Sequence, residues 1–179
     1  MPNGFPEGKF RIINRDTGHC LASFYGGQSY GSQDAYDRLT GEKGAITYSH
    51  TNDRVFGLRS EPQNEDIELW YSDGSNDPWG KPKKRLFNII EDIRTRWVLQ
   101  VDEGQRYSLE GITEPAVGVR MFGAGRDGVN RWQEEDGFIY VHGNWDQVLT
   151  LAYKTGSNEA VAVMTARGAP NQQWIFKEC

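Results

Sequence analysis

The sequence lacks most of the features that would assign it at a glance. No stretch approaches the ~20 consecutive apolar residues of a membrane-spanning helix, and no window carries a sustained helical period. There are two cysteines, Cys20 and Cys179. Two cannot form a disulfide scaffold and neither belongs to a C-x-x-C pair, so no zinc or redox motif is present and both read as free thiols. The three histidines, His19, His50 and His142, show no H-x-x-x-H spacing, so no metal centre is expected. Met1-Pro2-Asn3-Gly4-Phe5 has neither the basic nor the apolar region of a signal peptide, and none of the ten Asn residues opens an N-x-S/T sequon. The expectation is a cytoplasmic protein, with secretion as the alternative for a processed chain. Basic residues number 20 against 25 acidic, a net charge of −5. That balance argues against nucleic acid or an anionic membrane as the main partner.

What the chain does have is glycine and aromatic residues. Gly accounts for 21 of 179 residues and aromatics for 12%, against a usual Gly share of ~7%. With 37% hydrophobic and 25% charged residues the chain is too apolar for disorder, and its length suits one domain, residues 1–179. Short segments rich in β-branched and aromatic types recur between turn residues. They are Phe10–Ile13, Ala45–Tyr48, Ile67–Tyr71, Phe87–Ile90, Trp97–Val101, Val117–Phe122, Phe138–Val141, Val148–Leu151 and Ala160–Met164. This pattern predicts an all-β sandwich or barrel.

The chain also repeats itself. Phe10-Arg11-Ile12-Ile13-Asn14, Phe87-Asn88-Ile89-Ile90-Glu91 and Phe138-Ile139-Tyr140-Val141-His142 start alike. Each leads to a second strand centred on Leu21, Leu99 or Leu149, a third strand, and a polar turn closed by tryptophan: Asp77-Pro78-Trp79, Asn130-Arg131-Trp132 and Gln172-Gln173-Trp174. Repeats at about 8–84, 85–135 and 136–179 give twelve strands. A unit of this size cannot bury its own apolar face, so three must share one core. Such symmetry would bring Phe10, Phe87 and Phe138 together, gather Leu21, Leu99 and Leu149, and bury Trp174.

Ile12-Ile13-Asn14-Arg15-Asp16-Thr17-Gly18-His19-Cys20-Leu21 resembles the opening of a ricin B-type lectin repeat, and Asn171-Gln172-Gln173-Trp174 resembles that family's Q-x-W motif. The resemblance implies a β-trefoil that binds carbohydrate, its partner a glycan or glycoprotein. It needs no cofactor, performs no catalysis, binds no nucleic acid and inserts in no membrane; a homodimer is left open. It also implies where sugar would sit. In the family an Asp follows the second-strand Leu and accepts hydrogen bonds from two sugar hydroxyls. An aromatic on the third strand stacks under the ring, and an Asn before the closing motif adds a polar contact. Here the Asp positions read Ala22, Gln100 and Thr150. The third repeat has Met164 at the stacking position and reads as a dead pocket despite Asn171. The second offers Gln100, Asp102, Phe122 and Asn130, although Val129 holds the family's Asn position. The first offers Trp70, Asn76 and Asp77, with Trp70 pointing outward.

Two enzyme motifs fail by context. Gly27-Gln28-Ser29-Tyr30-Gly31 matches G-x-S-x-G without the strand-to-helix elbow that motif needs. Gly123-Ala124-Gly125-Arg126-Asp127-Gly128 matches G-x-G-x-x-G, but the residues after it open no helix to hold a pyrophosphate. Glu134-Glu135-Asp136 reads as a solvated turn. Ala22 to Asp77 spans 55 residues, Gln100 to Asn130 30 and Thr150 to Gln172 22, so the first repeat carries roughly thirty extra residues within about Phe24–Asp66. That insertion is read either as a tyrosine-bearing functional loop or as a hairpin of Ala45–Ser49 with Arg54–Arg59. The alternative function is therefore a protein-binding trefoil, such as a protease inhibitor, that presents this loop to a protein target.

Overall fold

A computed structural model describes residues 4–6, 9–23, 32–40, 43, 55–58, 69–73, 89–92, 98–112, 116–122, 131–156 and 159–178. Among these the protein is all-β apart from one helix. In chain order the elements are β1 (Lys9–Asn14), β2 (Cys20–Ser23), α1 (Gln33–Thr40), β3 (Val55–Leu58), β4 (Trp70–Asp73), β5 (Ile89–Asp92), β6 (Val98–Tyr107), β7 (Ala116–Phe122), β8 (Trp132–Glu135), β9 (Phe138–Val141), β10 (Gln147–Tyr153), β11 (Ala160–Ala166) and β12 (Trp174–Glu178).

The main sheet runs β10-β11-β3-β2-β1-β4-β5-β6-β7, and β7 pairs back to β11, so the path closes on itself; β12 adds to β1. Closure gives the strands on the closed path a partner on each side, and unpaired edges otherwise template aggregation. β8 and β9 form a separate hairpin. Its two-residue loop is Asp136-Gly137, between the paired Glu135 and Phe138. Both loop residues have positive φ, 54° and 83°, the combination a type I′ turn requires. Glu134 and Glu135 therefore belong to a strand, and Asp136 alone of that acidic run lies in a turn.

The β1–β2 connection is held by Asn14, which is buried. Its side-chain oxygen accepts from the amides of Asp16 (3.1 Å) and Thr17 (3.2 Å), an Asx turn, and its side-chain amide donates to the Asn171 carbonyl at 3.0 Å. His19, on the way into β2, is buried, with its Nε2 3.2 Å from the Tyr153 hydroxyl.

Two apolar clusters hold the strands together. The larger gathers Phe10, Ile12, Leu21, Leu99, Val119, Met121, Ile139, Leu149, Leu151 and Met164 with Trp70, Trp132 and Trp174. Leu21, Leu99 and Leu149 thus share one core. The three phenylalanines do not behave alike. Phe10 is in the core, whereas Phe138 is half-buried with the Arg167 guanidinium 4.6 Å from its ring centroid. Ile139 is the β9 residue that enters the core, so the third repeat is offset by one residue from the Phe-to-Phe alignment. Phe87 lies outside the described residues. The smaller cluster, Leu109, Ala116, Ala152, Val161 and Val163, packs on the opposite face of β10–β11.

Neither reading of the insertion includes a helix, and the insertion holds one. It carries α1, with Ser32 capping the amide of Ala35 at 3.2 Å and Gln33 donating to Asp37 at 3.0 Å. Asp34 in the first turn and Arg38 in the last complement the helix dipole. A helix this short and polar has too few apolar positions to register as a period. Residues 45–49, the other half of the expected hairpin, lie outside the described residues. Phe56 is flanked by Ala22 on β2 and Val161 on β11, so both edges there are occupied.

Candidate functional site

Three tryptophans make the same bond. The indole N–H of Trp70 donates to the Leu21 carbonyl at 3.0 Å, that of Trp132 to Leu99 at 2.9 Å and that of Trp174 to Leu149 at 2.9 Å. All three rings are buried in the main core. Trp70, fully buried, makes the bond that Trp132 and Trp174 make, and it is not an outward platform. Trp79, which the sequence pattern marks as a closing tryptophan, lies outside the described residues. Asn76 and Asp77 also lie outside the described residues, as does Asn130.

Strand register identifies the corresponding ladder positions. Leu21 pairs with Gly57, Leu99 with Met121 and Leu149 with Met164. Met121, not Phe122, thus matches Met164, because the stretch to the closing Trp is one residue longer in the second repeat. The next pairs are Ala22–Phe56, Gln100–Arg120 and Thr150–Val163. The first and third of these are interior, all four residues being buried. Thr150 bonds Thr165 at 2.7 Å, and Gln172 donates to Thr150 at 3.2 Å, to Thr165 at 3.0 Å and to the Ala166 carbonyl at 2.8 Å. That network fills the third-repeat position with protein groups. Asn171 has φ 62°, and its side-chain amide is spent on the Leu151 carbonyl at 3.2 Å.

The second repeat alone presents polar groups at this ladder position. Gln100 and Arg120 face each other, both half-buried. Arg120 reaches diagonally to Asp102, Nη1 to Oδ2 2.9 Å, with 29% and 18% of the two side chains exposed. The other Asp102 oxygen accepts the Gly104 amide at 3.1 Å. Asp102 pairs with Gly118, so no side chain stands opposite it in the ladder. Register sets position 122 on this same face, opposite Val98. Gln100 and Asp102 lie on one face of β6 by strand alternation. Arg120 is a member that sequence reasoning missed, although its alternation with Phe122 would have found it. The arrangement offers an amide, a guanidinium and a carboxylate, a mixture that both donates and accepts.

No family model matches the sequence, and no curated protein does. Solved structures do. The solution structure of the mdaA-1 domain has a TM-score of 0.62 at 15% identity, covering 99% of this chain and 94% of that one. The earthworm lectin C-terminal domain mutant in complex with 6'-sialyllactose gives 0.56 at 15% identity, over 96% of this chain and 98% of that one. The earthworm R-type lectin C-half in complex with GalNAc gives 0.51 at 16% identity, over the same shares. The chain has the fold of the R-type lectin domains.

On this R-type lectin fold two further features stand out beyond the ladder position. Trp145, in the β9–β10 turn, is 58% exposed and stacks on the buried Tyr140 at 5.6 Å and 13°. Burial and the neighbouring Glu135 carboxylate, which accepts the Tyr140 hydroxyl at 3.3 Å, push that phenol's pKa up. A cleft of about 280 Å³ opens between the end of β6–β7 and the β9–β10 turn. Among the described residues no group of three or more His, Cys, Asp or Glu side chains is placed to hold a metal ion.

Proposed function

We propose that this chain is a non-enzymatic carbohydrate-binding protein with lectin-like, degenerate sugar pockets. In this reading it is a β-trefoil of twelve strands in three repeats, β1–β4, β5–β8 and β9–β12, and it takes glycan on the outer face of β6–β7. The observation that carries the reading is the contrast among the three ladder positions. Two are filled by buried side chains, and the third presents Gln100 and Arg120, with Asp102 held beside them. Gln100 and Arg120 supply donors and Asp102 an acceptor, while Phe122, on the same face by register, supplies the apolar platform for the ring. Asn130, the first residue of the second closing motif, adds a polar contact. The neighbours determined with 6'-sialyllactose and GalNAc make sugar the ligand class to test first.

Gln100 stands where the family has a carboxylate. Losing a charged hydrogen bond costs ~1.5–3 kcal/mol, about ten- to hundred-fold in affinity. A simple galactose therefore binds poorly, and useful affinity comes from a larger glycan or from several sites together. A glycan array of the wild type beside Gln100→Ala and Phe122→Ala tests this. Glycans retained by the wild type and lost from both variants support the assignment. Equal binding by all three puts the site elsewhere. A silent wild-type array with a co-purifying protein hands the function to the protein-binding alternative and the first-repeat insertion.

A further inference from the structure

The cleft beside the β9–β10 turn has a composition of its own, and of the ladder residues it takes in Met164, the partner of Leu149. Its floor is apolar, Val141 and the buried Met164 among its residues, and its polar lining is Glu103, Arg106, Asn144 and Gln147. Two features place those four groups. The first is a bulge in β6. The register with β7 breaks between Asp102 and Arg106, and such breaks re-aim side chains next to functional sites. The second is a clamp on the turn that carries Asn144 and Gln147. The Asn144 amide donates to the Val141 carbonyl at 2.9 Å, and Gly143 has φ +86°. Arg167 holds the turn from the far side, its Nε 2.6 Å from the Trp145 carbonyl and its amide 3.1 Å from that of Asp146. The turn groups therefore sit on backbone bonded in place before any ligand arrives, which lowers the ordering cost of binding.

We infer that this cleft is a second binding site, and that its ligand is the ring of a single neutral hexose at a glycan terminus. The volume sits just below the ~300–1,000 Å³ of pockets for drug-sized ligands, which suits one ring. An apolar floor under a polar rim matches a ligand whose two faces are apolar and whose edge bears hydroxyls. Glu103 and Arg106 offset one another in charge, so nothing in the rim favours an anionic or cationic ligand. Asn144 and Gln147 each both donate and accept. The inference rests on the carbohydrate reading above but uses none of the same residues.

The test is a titration with free galactose, glucose, mannose and N-acetylglucosamine, followed by calorimetry and by tryptophan emission. The proteins are the wild type, Gln100→Ala, Glu103→Gln and Asn144→Ala. Trp145 lies in the turn between Asn144 and Gln147 and is exposed, so filling the cleft shifts its emission, and Trp145→Phe removes that part of the signal. At least one hexose is expected to bind Gln100→Ala as tightly as the wild type, and Glu103→Gln and Asn144→Ala are expected to weaken it at least tenfold. Hexose binding that is lost in Gln100→Ala yet intact in Glu103→Gln and Asn144→Ala overturns the cleft and leaves the β6–β7 face standing. Binding that survives Gln100→Ala and fails in the cleft variants supports the cleft, even where the array shows the β6–β7 face to be inert. No hexose binding by any of the proteins overturns the cleft, and the array then decides the larger reading by itself.

Discussion

Replacing Trp70 with Ala tests the placement on which every other equivalence depends. The indole is fully buried, and its N–H bonds the carbonyl of Leu21, itself buried. Truncating a core Trp to Ala costs about 3–5 kcal/mol. Part of that is the Leu21 carbonyl left without its indole donor, since an unsatisfied buried polar group costs ~1–3 kcal/mol. For a chain of this length each kcal/mol lowers Tm by about 2–4 °C, so Trp70→Ala should melt roughly 8–16 °C below the wild type for a loss of ~4 kcal/mol. Trp70→Phe retains a ring and loses the N–H, so it should fall between the two. Trp174→Ala, at the corresponding position with its N–H on Leu149, should lose a similar amount. Thermal and urea unfolding followed by circular dichroism measures all three. If Trp70→Ala unfolds with the wild type while Trp174→Ala does not, Trp70 is no closing residue and the ladder equivalence fails.

Other consequences are equally direct. Gly137 has φ +83°, and a Cβ there would lie 3.1 Å from the Trp174 carbonyl oxygen; Gly137→Ala should cost ~1–2 kcal/mol for the left-handed backbone plus that contact. Gly143, φ +86° with nothing within 4 Å of a Cβ, should lose only the backbone share, so the two melting temperatures should be ordered accordingly. The Tyr140 phenol is raised above 10.0 by burial and by Glu135. A raised folded pKa means that the stability it contributes is whole below the unfolded value and is lost as pH climbs through the folded one. Absorbance titration should find a late-ionising phenol that disappears in Tyr140→Phe, and that variant should flatten the loss of stability at alkaline pH; identical titrations of variant and wild type apart from one ordinary phenol refute this.

Much of the architecture was legible because it follows from local rules. Alternation and β-branched content mark β1, β7, β10 and β11, and the recurring Leu21, Leu99 and Leu149 share one core. Asp136-Gly137 is a hairpin signal of the strongest kind, overlooked because the acidic run around it reads as solvent-exposed loop. The misreading of Trp70 has a different cause. Two tryptophans, nine residues apart, follow the first insertion, and only one bears a Pro-flanked polar turn like a closing motif. Which of them reaches the Leu21 carbonyl is settled by long-range packing, and no local pattern carries it. The same holds for Arg120 with Asp102, which meet diagonally across two strands. The cleft depends on a strand bulge and on a turn from a different repeat, two features distant in sequence.

The central claim is that the β6–β7 face holds sugar. Titrating isotope-labelled protein with the best-retained array glycan and mapping the amide shifts tests it most directly. The largest shifts are expected at Gln100, Asp102, Arg120 and Phe122, with Ala22 and Thr150 unmoved. Shifts confined to other strands, or no shift with any glycan, contradict it.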